Sequence, residues 1–248
     1  MSGKRLNQRA RGQVTRELIL DVAEGLFAQH GPAGVTIRSI ASEAGTNTQA
    51  LNYHFGTKDR LLEEMFRRRV LPVNAERLER LDACTANGRL PSIEEVIDSF
   101  VRPILRLRQE SLGHERALVV MQFQLRMVSN PGDKEFTYLR SYFEPLRSRF
   151  ISVLSRILPQ LEIEDVIWRY NFMCGAILYS MGGPARMLYP PESLAGAKLR
   201  DFGDEGAAID HLVRFLGEGF RARSLYEDAA AALKPGVKKI GKAQHVRS

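Results

Sequence analysis

Residues 36–62, TIRSIASEAGTNTQALNYHFGTKDRLL, constrain this chain more than any other stretch. Ile37, Ile40, Ala41 and Ala44 recur at helical spacing and give a short first helix one apolar face. Gly45 follows at the place where the chain reverses and positive φ is needed. Asn47 is placed to cap a second short helix running over 48–53. Only Ala50 and Leu51 are apolar in its middle; the rest of its surface is amide, hydroxyl and phenol. A helix too polar for a core and too uncharged for a mere solvated face suits the floor of a DNA major groove. Gly56 ends it, Thr57 caps the next helix, and Lys58 sits in that helix's first turn.

The chemistry of these side chains sorts them by task. Gln49 and Asn52 each have the paired donor and acceptor that adenine presents, and Thr48 offers a methyl to thymine. Thr36, Tyr53, His54 and Lys58 suit phosphate contacts, which set register and carry no sequence information. Arg38 and Asn47 complete the set assigned to DNA.

The same residues carry a resemblance. Ala44-Gly45-Thr46-Asn47, Leu51, His54-Phe55, Lys58-Asp59 and Leu61 resemble the DNA-binding signature of the TetR family of repressors. Upstream, Ile19, Val22, Ala23, Leu26 and Phe27 followed by His30-Gly31 resemble that family's first helix. Thr46 stands where the family prefers Val, and Gln49 where a small residue is common, departures that bear on the operator read and not on the fold. The resemblance implies an all-α homodimer. Each subunit would have an N-terminal three-helix, helix-turn-helix domain and a larger C-terminal helical domain for ligand binding and dimerisation. Two late helices from each subunit would form a four-helix bundle.

The 248 residues divide accordingly into a basic flexible arm (1–12), the helix-turn-helix domain (13–60), the ligand-binding and dimerisation domain (61–233) and a basic flexible tail (234–248). The net charge of +7 lives in the two ends. Lys4, Arg5, Arg9 and Arg11 face no acid within the arm, and the tail holds Lys234, Lys238, Lys239, Lys242 and Arg247 with none either, so everything between is slightly acidic. Such an arm follows phosphates or enters the minor groove, or else only solubilises the chain. Cys84 and Cys174 have no metal-like spacing; two free thiols fit better than a disulfide. No apolar signal-peptide core and no membrane-length apolar run are visible, so a cytoplasmic protein without membrane association is expected.

Beyond residue 58 the chain reads as helix after helix. One runs from 58 to about 81, with a kink or break expected at Pro72. Ser92 and Glu95 make a capping box for a helix through Phe100, kinked at Pro103. Others cover Ala117 to Met127, 134–158 with a bend at Pro145, and 164–181, the last apolar around most of its circumference and therefore expected to be buried on all sides. The final helix, 207–226, has the stripe Ile209, Leu212, Val213, Leu216 and Phe220. The apolar surplus of these two late helices points to pairing with a second copy, through Met181, Leu212, Phe215, Leu216 and Phe220.

A ligand pocket is read from bulky apolar residues interleaved with polar ones: Phe100, Leu105, Met121, Phe123, Met127, Trp168, Phe172 and Met173, with Arg126 and Asn171. The plain alternative is that they are core. Residues 168–176 and 179–183, with the Asn52-Tyr53-His54-Phe55 end of the recognition helix, are similar to a fatty-acid- or acyl-CoA-responsive branch of the TetR family. This implies an elongated pocket for an acyl chain; an acidic head group would need a contact, for which Arg126 is the candidate. A flat aromatic, multidrug-like ligand is the competitor.

No Gly-rich phosphate loop, Gly-x-Ser-x-Gly elbow or paired-His metal motif appears, so neither an enzyme nor a metal site nor a cofactor is expected. The reading is a homodimeric regulator of double-stranded operator DNA, a repressor released by a small apolar effector. The rival is a helical ligand-binding protein that no longer binds operators.

Overall fold

Helix starts and stops follow the local chemistry closely. The computed structural model describes residues 2–107, 119–120, 122, 140–181 and 205–224, and among them all regular structure is helical. In chain order the helices are α1 (Ser2–Gly34), α2 (Ile37–Glu43), α3 (Thr48–Phe55), α4 (Lys58–Thr85), α5 (Ile93–Leu107), α6 (Arg140–Ile157), α7 (Ile163–Met181) and α8 (Glu205–Arg221), with a short 3₁₀ turn at Ala86–Gly88 between α4 and α5.

The N-terminal unit is α1 wrapped against α2, α3 and the start of α4. Ile19, Leu20, Ala23 and Phe27 of α1 are buried with Ile40, Ala41, Leu51, Phe55, Leu61 and Leu62 in one core. The basic segment expected to be a flexible arm is instead helical from Ser2 onward. The reason lies in its composition: Lys, Arg, Leu, Gln and Ala are good helix formers, and no proline interrupts before Pro32. Gly31, with φ 67° and ψ 175°, breaks the helical path at the expected stop.

α4 is continuous through Pro72, where a kink or a break was expected, so no break occurs. Pro72 lies on the solvent side, and the buried row Phe66, Val70, Val73, Asn74, Arg77 and Leu81 holds the helix on both sides of it. α5 packs against both α4 and α8. Its start is the expected capping box: Ser92 Oγ accepts from the Glu95 N–H at 3.2 Å, and Glu95 Oε2 accepts from the Ser92 N–H at 2.8 Å. α5 and α6 likewise carry Pro103 and Pro145 inside their spans.

The two late helices differ from expectation. α7 is not buried on all sides: Val166, Tyr170, Met173 and Ile177 enter the core, while Trp168, Phe172 and Tyr179 point to solvent. On α8, Leu216 and Phe220, expected at a subunit interface, are buried within their own subunit, and only Phe215 and half-buried Leu212 remain accessible. The stripe therefore serves the chain's own core, because α8 lies on α5 and α7. Gly217 permits that approach, since a Cβ there would meet Glu94 Oε1 at 3.0 Å. The helix placed at Ala117 to Met127 lies mostly outside the described residues; within it Val119, Val120 and Gln122 are helical, and the two valines are fully buried. Residues 134–139 and the tail at 234–248 also lie outside them. Cys84 and Cys174 are free thiols.

The capping box generates a stability prediction. Hydrogen bonds from Arg89 and from the Ser92 backbone hold the Glu95 carboxyl down at about 2. A depressed carboxyl contributes stability above its unfolded value of ~4.3 and loses it as pH falls toward the folded value. Ser92→Ala should lower unfolding free energy by about 1 kcal/mol. In urea titrations between these two pH values, the wild type should lose stability more steeply than Glu95→Gln.

Candidate nucleic-acid interface and effector cavity

The DNA face is assembled by three caps. Thr36 Oγ1 accepts from the Ser39 N–H at 3.0 Å, and Ser39 Oγ accepts from the Thr36 N–H at 2.9 Å, which fixes the start of α2. After α2, Gly45 turns the chain with φ 59°. Asn47 Oδ1 then accepts from the Ala50 N–H at 2.8 Å and starts α3. Gly56, at φ 74°, ends α3, and Thr57 Oγ1 accepts from the Arg60 N–H to start α4. These caps satisfy helix-end donors that would otherwise be orphaned in a segment only eight residues long.

α3 is split cleanly into two faces. Leu51 and Phe55 are buried, whereas Thr48, Gln49, Asn52 and Tyr53 are exposed, Tyr53 at 85%. Thr36, Arg38 and Asn47 are exposed beside them, and His54 and Lys58 are half-buried. All nine residues assigned to DNA thus lie in or next to α2, α3 and the first turn of α4. His54 meets the edge of Tyr53 with ring centres 5.2 Å apart. A Cβ at Gly12 would stand 3.9 Å from His54 Cε1, so α1 passes the end of α3 just after its basic N-terminal turns.

An ion-pair seat joins this unit to α4. Arg16 pairs with Glu64 and sits 5.2 Å over the Phe55 ring. Arg68 reaches Asp21 at 2.6 Å and Glu17 and Glu24 at 3.6 Å; Arg69 meets Glu24 at 2.8 Å. Glu24 is buried, and desolvation raises its carboxyl despite Arg69 and Arg68. The geometry still favours the ionised form, since both facing groups are guanidiniums at short range.

The second site is a cavity of about 500 Å³ between α4, α5, α6 and α7. Its wall includes Phe100, Phe143, Leu146, Tyr170, Cys174, Ile177 and Leu178, with Arg77, Arg140, Glu144, Arg147 and Asn171 as its polar groups. That is the size and lining of a small-molecule site. Burial pushes the Cys174 thiol up to about 11 and raises the Tyr170 phenol, so both are neutral at physiological pH.

Of the residues assigned to a ligand, the cavity brings together Phe100 and Asn171. Leu105 and Met173 are buried but are not part of its wall. Trp168 and Phe172 stack on each other at 5.8 Å on the outer surface, away from it. Met121, Phe123, Arg126 and Met127 lie outside the described residues, and so does the side chain of Met181. Arg77 was missed: it is only 1% exposed and lies in the cavity wall. A signal for it exists, because Arg77 occupies a core position in the row Phe66, Val70, Val73 and Leu81.

A polar, capped helix at one end of α4 and an apolar cavity farther along it define a helix-turn-helix protein with a cavity in its larger helical part. A model described as bacterial regulatory proteins, tetR family, matches residues 19–65, and one described as tetracyclin repressor-like, C-terminal domain, matches residues 98–219. The chain belongs to the TetR family of transcriptional regulators, which are not enzymes.

Among relatives, the HTH-type transcriptional repressor KstR2 of Mycobacterium tuberculosis (strain CDC 1551 / Oshkosh) is 27% identical over 195 residues, 71% of this chain and 88% of its own. The HTH-type transcriptional repressor Rv3405c of M. tuberculosis (strain H37Rv) is 48% identical over 44 residues, 18% of this chain and 23% of its own. The solved structure of the ketosteroid transcriptional regulator KstR2 of M. tuberculosis has a TM-score of 0.58 at 18% identity, covering 82% of this chain and 93% of that one. NalD, the secondary repressor of a multidrug efflux pump in Pseudomonas aeruginosa, has a TM-score of 0.56 at 18% identity, covering 84% of this chain and 97% of that one. At these identities the structural likeness is one of fold. Among the described residues no helix is long and apolar enough to cross a membrane.

The ion-pair seat is directly testable. Glu24→Ala leaves the mostly buried Arg69 without its partner, and should destabilise the protein by about 3 kcal/mol in denaturant unfolding. A change within a few tenths of that of an exposed control such as Glu218→Ala would show that the seat contributes nothing.

Proposed function

We propose that this chain is a repressor: a homodimer that holds two copies of α3 on operator DNA and lets go when a small apolar ligand fills the cavity. The observation that carries this reading is the reach of α4. Its first turn, at Lys58, stands at the DNA face, and Arg77 farther along the same helix stands in the cavity wall. Nineteen residues of helix separate the two by about 28 Å. A ligand that moves α4 changes the spacing of two recognition helices that must meet successive major grooves ~34 Å apart.

The dimer face is supported by accessible aromatic residues on the two late helices. Trp168, Phe172 (63% exposed), Tyr179 and Phe215 (72% exposed) form more apolar surface than a solvated face needs. α7 and α8 pack on each other through Arg169, which donates to the Phe220 carbonyl at 2.6 Å, so their outer sides present one surface. Phe215→Asp should shift the protein to monomer in light scattering and weaken operator binding with it.

Gln49, Asn52 and Thr48 are assigned to bases, and Thr36, Tyr53, His54 and Lys58 to phosphates. Selection of sites from a random duplex library should return a two-fold symmetric sequence. Gln49→Ala should cost ~1–3 kcal/mol and relax choice at one position of each half-site. Lys58→Ala should weaken every sequence alike and reduce the salt slope by about one. Removing residues 1–10 should also reduce the salt slope, because three cations, Lys4, Arg5 and Arg9, leave a helix that passes the end of α3 at Gly12. A library that yields no enriched site would favour the rival, a ligand-binding protein without an operator.

For the ligand, the apolar wall supports an acyl chain or a flat aromatic molecule. A chain-length series added to the operator complex separates them: release that strengthens with each methylene, by ~0.8 kcal/mol of burial, marks the chain.

A further inference from the structure

One group in the cavity is at odds with its surroundings. Arg77 is 1% exposed, and among the described residues no carboxylate pairs with it. Every other buried or half-buried arginine of α4 that meets an acid does so within the ion-pair seat or along the helix: Arg68 with Asp21, Arg69 with Glu24, Arg80 with Glu76. Arg77 instead has neutral partners. Its Nε donates to the Phe100 carbonyl at 2.8 Å, its Nη1 donates to Asn74 Oδ1 at 3.3 Å, and its guanidinium lies 4.1 Å over the Phe100 ring. No acceptor among the described residues meets Nη2.

These partners satisfy hydrogen bonds but leave the charge uncompensated. Burial lowers the Arg77 pKa only to about 10, so the group remains a cation at neutral pH. A buried cation is costly unless an anion offsets it. Beside it, Asn74 Nδ2 is a second buried donor with no acceptor. The charged donor thus stands in the wall of an apolar cavity of about 500 Å³, with the unpartnered Asn74 amide behind it on α4. The other cations of the wall, Arg140 and Arg147, belong to its outer side; Arg147 is held by Glu144 at 2.8 Å.

We propose that the cavity takes an amphipathic monocarboxylate, its apolar body against Phe143, Leu146 and Ile177 and its carboxylate on Arg77. A single buried cation matches a single negative charge. A dianionic phosphate would leave a net charge in the same apolar surroundings, and a neutral carbonyl would leave the cation uncompensated. Arg77 also ties α4 to α5 through the Phe100 carbonyl, so a carboxylate that engages it acts on the helix that carries Lys58. The proposal rests on the cavity being the effector site.

The test measures binding to the full-length protein without DNA, by isothermal titration, so it stands apart from the search for an operator. Two probe sets are used, dodecanoic acid and 5β-cholanic acid, each with its methyl ester and its primary alcohol. The acid should bind roughly tenfold to hundredfold more tightly than the ester or alcohol of the same body. Arg77→Gln should abolish that preference while leaving ester binding in place, Arg77→Lys should retain part of it, and Arg140→Gln should leave it unchanged. If Arg77→Gln does not fold, the acid-against-ester comparison in the wild type decides. Equal affinity for acid, ester and alcohol, or no binding of either acid, overturns the proposal. So does an acid preference that survives in Arg77→Gln.

Discussion

The structure depends on one helix belonging to both halves at once. α4 buries a row from Leu61 to Leu81, and the first part of that row completes the helix-turn-helix core while the later part meets α5 and α6. Pro72 sits in the middle and removes one backbone donor, yet the helix does not break. Its ring lies on the solvent side. Burial of Val70 and Val73 on either side makes fracture more costly than one lost hydrogen bond.

Charge then decides how the two halves are fastened. The helix-turn-helix core is small and apolar and runs on along α4, and a set of ion pairs lies beside it: Glu17, Asp21 and Glu24 of α1 against Arg68 and Arg69 of α4. Exposed ion pairs contribute little individually, but this set shares partners around the buried Glu24. Such a seat resists separation while its long side chains tolerate small rotations. The same acids offset the charge of Arg68 and Arg69.

The apolar surface divides in a similar way. α7 is apolar around most of its circumference, with Tyr170, Met173 and Ile177 inward and Trp168, Phe172 and Tyr179 outward. The cavity lies between α4, α5, α6 and α7, and its wall mixes aromatic rings of α5, α6 and α7 with cations of α4 and α6. Tyr170 meets Phe100 edge-on, and Phe100 meets Phe150 the same way, so the ring that supports Arg77 is itself held in place.

By itself the sequence determined what local chemistry determines. The caps at Thr36, Asn47, Thr57 and Ser92, the turn at Gly45 and the stops at Gly31 and Gly56 are short-range events between residues a few positions apart, and each is visible in the order of side chains. The recognition helix was legible for the same reason: polarity on one face and Leu51 and Phe55 on the other need no distant partner to be recognised. Tertiary structure decided the rest. Which of the arginines of α4 faces a cavity, whether Leu216 and Phe220 serve the subunit or its partner, and whether Trp168 points in or out all depend on which helix lies opposite. Periodicity states that a residue is on an apolar stripe; only packing states what the stripe touches.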